Sequence, residues 1–245
     1  MRRLAIALTV VAVLVVAAGT GVWWFVLRDD APEELGLSDQ PAQSGQEGGT
    51  FDADGTWTVA TASDVAPAAG LRITERFAGG AAENTAVGRT SEVDGSITIV
   101  GTEVTKGSFT VDLTSLTYTD SPPGLDVANR KRAMEGAGLE TGRFPEATFT
   151  LTAPIDLGGT PRPGRPVTAE ATGDLTLHGV TRPVTFGVEA QAVDSGGPRI
   201  EIATADPVPV KLADYDMTPP VIGPVASVAD TGRFEFKLVL TKEPT

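Results

Sequence analysis

From residue 51 to the C-terminus, apolar side chains recur every second position, and no other feature restricts the fold of this chain as much. Leu71, Ile73 and Phe77 share one parity, with Arg72, Thr74 and Arg76 on the other. Phe109, Val111 and Leu113 alternate with Thr110 and Asp112, and residues 167–177 keep small or apolar types, ending in Leu175 and Leu177, at odd positions. Val184, Phe186, Val188 and Ala190 take the even positions, Ile200 and Ile202 follow, and Phe234, Phe236, Leu238 and Leu240 come near the end. A strand turns successive side chains to opposite faces, so each run reads as a strand with one dry and one wet face. Asp94-Gly95 and Ser195-Gly196-Gly197 fall between runs, where hairpin turns are expected. At least eight such strands make an all-β domain, either a sandwich or a closed antiparallel barrel. The 28 glycines and 18 prolines suit a chain of strands and turns.

One stretch breaks the rhythm. "SPPGLDVANRKRAMEGAGLETGRFP", residues 121–145, has too many breakers for a strand and suits a short helix over residues 129–135, bounded by Gly136 and Gly138. So long an excursion between strands covers a barrel end or forms a lid. Its Arg130-Lys131-Arg132 cluster reads as a solvated helix face; contact with lipid headgroups or an anionic ligand is the sharper alternative.

The N-terminus obeys different rules. Residues 4–27 carry no charge, follow Arg2 and Arg3, and end at Arg28-Asp29-Asp30. A run of about 20 apolar residues spans a bilayer, and the flanking charges place the N-terminus in the cytoplasm. The expectation is a retained transmembrane anchor over residues 1–28, because the apolar run continues through Trp23-Trp24-Phe25. The competing reading is a cleaved signal peptide cut near Ala17-Ala18-Gly19, which would make the protein secreted. Either way residues 51–245 lie outside the cytoplasm, in the first case as the exported domain of a single-pass membrane protein. Residues 29–50 hold six acidic residues and no basic one, and read as a flexible acidic linker.

Composition removes several classes of function. With no cysteine, disulfides, thiolate metal sites and thiol catalysis are excluded. A net charge of −13 repels phosphate backbones, which argues against nucleic-acid binding. The single histidine, His178, stands in "GDLTLHGVTRPVTF", where the buried parity switches from odd to even. Gly179 permits a tight reversal and Pro183 starts the next strand, so the switch at residues 178–181 reads as a hairpin connection. Neither a second histidine nor a carboxylate lies at ligand spacing, and no nucleophile is singled out for it to activate. "DSGGP", residues 194–198, matches the nucleophile core of trypsin-like proteases but has Val193 where glycine is expected, and reads as a hairpin loop. "DADG", residues 52–55, starts like a calcium loop but has Ser63 at its twelfth position, and reads as solvated linker. No catalytic residue, metal site or cofactor is expected.

The hairpin sequence "GDLTLHGVTRPVTF" closely resembles that of the YceI-like proteins. "GTWTVATAS" (residues 55–63) is similar to their opening strand, "GSFTVDLTSL" (107–116) to their central strand, "RFPEATFTLT" (143–152) to the next, and "ADYDMTPP" (213–220) to a late aromatic segment. The resemblance covers most of residues 55–241. It implies an exported lipocalin-like barrel of about eight strands that binds an isoprenoid or fatty-acyl lipid, such as a quinone, without catalysis. The expected cavity lining is Leu71, Ile73, Phe77, Phe109, Val111, Leu113, Phe149, Leu151, Leu175, Leu177, Val184, Phe186, Val188, Tyr215, Phe234 and Phe236. For Tyr215 two roles stand open, a hydrogen-bond donor into the cavity or a packed aromatic. Burying a tail of several isoprene units would supply roughly 8–10 kcal/mol before ordering costs. The alternative is a barrel packed shut, acting as a membrane-tethered protein-interaction module. Homodimerisation stays open.

Overall fold

The computed structural model describes residues 31–38, 51–60, 66–78, 83–118, 125–159, 165–193 and 198–242. The segment expected to anchor the chain lies outside these residues, and among the described ones no helix is long and apolar enough to cross a membrane.

The strands form one antiparallel sheet that closes on itself with eight places around the ring. β14 (Thr231–Lys242) carries two partners in succession along one edge: β1 (Gly55–Val59) beside its end, and β2 (Ala68–Phe77) beside its start. β3 (Glu83–Thr90) pairs with β2, and β4 (Val93–Val100) pairs with β1. These two runs therefore fill one place as a bent strand. β5 (Glu103–Asp112) follows along β4, and the short β6 (Thr117–Tyr118) extends the same place along β3. The ring continues through β7 (Glu146–Leu151), β9 (Val167–Leu177), β10 (Val180–Val193) and β11 (Arg199–Thr204), with β12 (Val208–Lys211) beside the start of β14. The small strands β8 (Ile155–Asp156) and β13 (Val225–Val228) add to β5 and β2.

Closing the ring leaves no long free edge and gives each strand an inside and an outside. Gly95 and Gly173 serve this closure. Asp94-Gly95 is not the turn its composition suggested: both residues lie within β4, Gly95 opposite Phe109. A side chain at Gly95 would collide with the Phe109 ring, and one at Gly173 with the Phe149 ring. Each glycine thus seats an aromatic ring flat on the neighbouring strand. The loop holding Ser195-Gly196-Gly197, with the protease-like motif, lies outside the described residues, although β10 and β11 pair on either side of it.

The hairpin around His178 is tighter than expected. Leu177 pairs directly with Val180, leaving a two-residue loop, and His178 and Gly179 have φ of 52° and 74°. Two successive positive φ values are what a type I′ hairpin requires. The helical excursion forms α1 (Val127–Ala133), capped by Asp126, whose carboxylate accepts from Asn129 N–H at 2.9 Å. It starts two residues before the expected 129 and widens into a π-type turn over Met134–Gly138, running through Gly136 rather than stopping there.

The acidic linker differs from expectation in its first part. Residues 31–38 lie across the outside of β3, β2, β14, β11 and β10, hydrogen-bonded to them as a strap.

Candidate functional site

The inward faces enclose a cavity of about 240 Å³, lined almost wholly by apolar side chains. That exceeds an engineered apolar cavity of about 150 Å³ that stays dry and takes up benzene. Phe186 sits in its middle, edge-on to Phe149, Phe234 and Phe236 at centroid distances of 5.2, 5.6 and 6.1 Å.

The two ends are built differently. Trp57 lies opposite Lys242 at the finish of β14, fully buried, its indole N–H donating to the Ala53 carbonyl at 2.8 Å and its ring stacked on Phe51. Ile97, Ile99, Val104, Ile155 and Leu157 cluster with it and line the cavity at that end. Lys211 lies opposite Thr231 at the start of β14, marking the other end. There the cavity reaches Met134 and Leu139 from the helical excursion and Met217, Pro219 and Pro220 from the segment after β12.

A buried ion pair stands at this second end. Glu75 has the inward parity of Leu71 and Ile73, and it lines the cavity. Its carboxylate accepts from Arg130 Nη2 at 2.5 Å and from the Asn84 amide at 3.4 Å, and all three residues are buried. Arg130 is thus not on a solvated helix face, as the sequence suggested. Lys131 and Arg132, beside it, do reach the exterior: Lys131 pairs with Glu135 at 2.6 Å, and Arg132 is exposed.

Of the sixteen residues expected to line the interior, all but Phe77, Val184 and Tyr215 border this cavity. Phe77 is at the end of β2 opposite Val225. Val184 packs against the two main core clusters around the cavity. Tyr215 takes the packed-aromatic role: it is buried in a short 3-10 turn (Leu212–Tyr215) beside Leu175, Val210 and Met217, and burial pushes its phenol pKa up. The list omitted Ile97 and Ile99, whose alternation is plain in "SITIV", and Met134, Leu139, Met217 and Pro219, which no strand rhythm marks. It also omitted Glu75, although its parity was legible.

His178 serves the turn. Its Nδ1 lies 3.2 Å from the Tyr215 carbonyl, its ring packs on Phe144 at 4.3 Å between centroids, and its Nε2 lies 3.5 Å from a Glu140 oxygen. The calcium-like "DADG" segment is also structural. Asp52 pairs with Lys242 at 2.7 Å, which lowers its carboxyl pKa, and Asp54 accepts from the Gly101 N–H. Among the described residues no group of three or more ligating side chains could hold a metal ion.

On the outside, the strap covers two charged clusters. Glu235, fully buried, accepts from Arg72 at 3.3 Å, Arg89 at 2.8 Å and the Leu35 N–H at 3.2 Å. The same arginines hold strap carbonyls: Arg72 donates to Pro32 at 2.7 Å, and Arg89 to Glu33. In the second cluster Glu201 accepts from Ser38 Oγ at 2.7 Å and Gln191 at 2.6 Å, and pairs with Lys237 at 3.1 Å. Burial alone would raise the Glu201 carboxyl pKa, but the hydrogen bonds from Gln191, Ser38 and Lys237 outweigh it and hold the group below its ordinary value.

Comparison with known proteins agrees with this geometry. The sequence matches the YceI-like domain over residues 49–240. It is 37% identical over 98 residues to a UPF0312 protein of Vibrio parahaemolyticus, covering 38% of this chain and 45% of that protein. A UPF0312 protein of Pseudomonas putida is 33% identical over 99 residues, covering 40% and 46%. The chain thus spans about half the length of the curated relatives it matches. Among solved structures, a polyisoprenoid binding domain from Saccharophagus degradans implicated in plant cell wall breakdown superposes with a TM-score of 0.52 at 18% identity, covering 74% of this chain and all of that one. At that identity the likeness concerns the fold.

Proposed function

The chain belongs to the YceI-like domain family, and from that premise we propose that it binds one apolar or amphiphilic lipid, with an isoprenoid tail, inside the barrel and without catalysis. The observation that carries this reading is the cavity itself, almost wholly apolar, lined towards Trp57 by Ile97, Ile99 and Val104 and bordered at the other end by the helical excursion. Burying a hydrocarbon tail against such walls is favourable in proportion to the area removed from water. The fold shared with a domain described as polyisoprenoid binding supports the same ligand class. The chain's sole histidine is engaged in a turn, which supports binding over chemistry.

Residues 1–28 act in this reading as a retained anchor, and residues 51–245 as a domain outside the cytoplasm. Extraction of host membranes with carbonate tests the anchor: the protein stays in the pellet, whereas a shortened soluble form overturns retention. For the ligand, the full chain is purified from its own host in mild detergent and examined by native mass spectrometry. A bound apolar molecule of discrete mass is expected. Uniformly empty barrels that also fail to take up a long-chain polyprenol would favour a closed interaction module instead.

A further inference from the structure

We propose that residues 217–229 form a membrane-docking lip that seats this end of the barrel on the surface of a lipid bilayer. The segment carries no charge, in a chain whose net charge is −13. Thr218, Pro219 and Pro220 line the cavity, and the next residue, Val221, is 57% exposed. Ile222 and Pro224 follow it half-buried, and a side chain at Gly223 would touch Leu125, so the helical excursion meets the same rim. The rim is held in shape by backbone hydrogen bonds. Val225 N–H donates to the Ile222 carbonyl at 3.0 Å and closes a turn, and Ala78 N–H donates to the Pro224 carbonyl at 2.8 Å, tying the turn to the end of β2. An apolar surface that is already ordered loses little entropy on docking and gains by leaving water.

The opposite end lacks these features. The other large apolar side chain exposed among the described residues is Val100, 61% exposed at the hairpin between β4 and β5. Its surroundings are acidic. Val100 lies opposite Glu103, Glu103 opposite Asp156, and Asp54 accepts from the Gly101 N–H, all three carboxylates being on exposed residues. Charges of that kind resist leaving water. On the anchored, lipid-binding reading above, the strap points the same way. Only four residues separate Arg28 from Pro32, whose carbonyl Arg72 holds at 2.7 Å, a reach of at most about 14 Å. Arg72 stands five residues before Phe77, which lies opposite Val225 of the lip, about 17 Å along β2. From Arg233, opposite Arg72, to Lys242 at the Trp57 end is nine residues, about 30 Å. The chain therefore arrives from the anchor on the lip's half of the barrel, where the lip and the bilayer are in reach of each other.

The chain has no cysteine, so a single thiol can be introduced at a chosen site. Val221→Cys and Val100→Cys are made separately in the full chain; both positions are exposed, so a label leaves the core undisturbed. Each protein is labelled with an environment-sensitive fluorophore and reconstituted into phosphatidylcholine vesicles that contain lipids spin-labelled on the acyl chain. The label at position 221 is expected to shift to the blue and be quenched, and the label at position 100 to keep a water-like emission without quenching. Quenching should persist at about 1 M salt, where the Debye length is about 3 Å, because the contact is apolar. Three results would overturn the proposal: both labels equally in water, quenching at 100 and not at 221, or quenching that vanishes in salt. A label at 221 already shielded in detergent micelles, on protein of twice the monomer mass, would overturn it too by giving the lip to a second copy of the chain. Quenching at 221 in protein that takes up no polyprenol would uphold the docking and remove the lipid-binding reading alone. Retention of the anchor is read separately, by the carbonate extraction.

Discussion

Leu238 and Glu235 stand on the same strand, both almost fully withdrawn from water, on opposite sides of the barrel wall. Leu238 borders the cavity, among side chains that ask only to be apolar and of fitting size. Glu235 lies under the strap, where its charge is tolerable because Arg72 and Arg89 face it and Leu35 donates to it. The inner wall is non-directional: its stability follows buried area and packing, and similar shapes can be exchanged within it. The outer cluster is directional and reciprocal, so removing one partner leaves the others charged and stranded. One wall is suited to admitting a variable guest, the other to fixing one segment in one place.

The largest effect that separates the walls is expected from Glu235→Ala. It removes the carboxylate that Arg72 and Arg89 share, leaving them only strap carbonyls, and a broken buried pair costs about 3–5 kcal/mol, here near the lower figure because Arg89 is partly exposed. Urea unfolding measures the loss, and limited proteolysis should find residues 31–38 newly cleavable. Lipid affinity should hold. An equal loss of lipid binding in protein that is still folded would show that the two walls are coupled.

Val188→Trp probes the other wall. Val188 borders the cavity on β10, opposite Ala169. The added rings should occupy ligand space and weaken polyprenol binding by about tenfold or more, while overpacking typically costs about 1–3 kcal/mol. A thermal melt beside a binding titration reads both. Unchanged binding and melting would mean that the site faces solvent.

His178→Ala sharpens the contrast as a variant belonging to neither wall. It should cost about 1 kcal/mol, because the Tyr215 hydrogen bond is lost while the left-handed backbone strain is already present in the histidine. Calorimetry should show this with strap protection and lipid affinity unmoved; loss of binding in the folded variant would give His178 a part in the site.

Acidification should produce the smallest and most local change. The Glu201 pKa is depressed in the folded protein, so its contribution is complete above the ordinary carboxylate value and is lost as pH falls through the lower, folded value. Hydrogen exchange at residues 31–38 should therefore rise on going below the ordinary carboxylate range, before the strands open. Exchange that rises together across strap and barrel would deny the strap a separate attachment.

The pattern of strands and the cavity side of each strand were legible because period-two alternation is a local property of the backbone. Leu71, Ile73, Phe109, Val111, Leu175, Leu177, Phe186 and Val188 were placed on the interior by parity alone, and each borders the cavity. The same rule misread Arg72, given to the wet face yet buried beneath the strap, and passed over Glu75, whose parity was inward but whose charge argued against burial. Asp94-Gly95 looked like a turn because its composition suits one; in the barrel Gly95 instead makes room for the Phe109 ring on the neighbouring strand. The sequence by itself determined an all-β chain, the faces of its strands, the His178 hairpin and the family resemblance, since these follow from neighbouring residues and their alternation. Only the tertiary structure decided that the sheet closes into a ring, that Arg130 crosses to Glu75, and that residues 31–38 seal the outer ions. Those contacts join residues far apart in the chain, and a charge can be buried only where folding brings its partner to it.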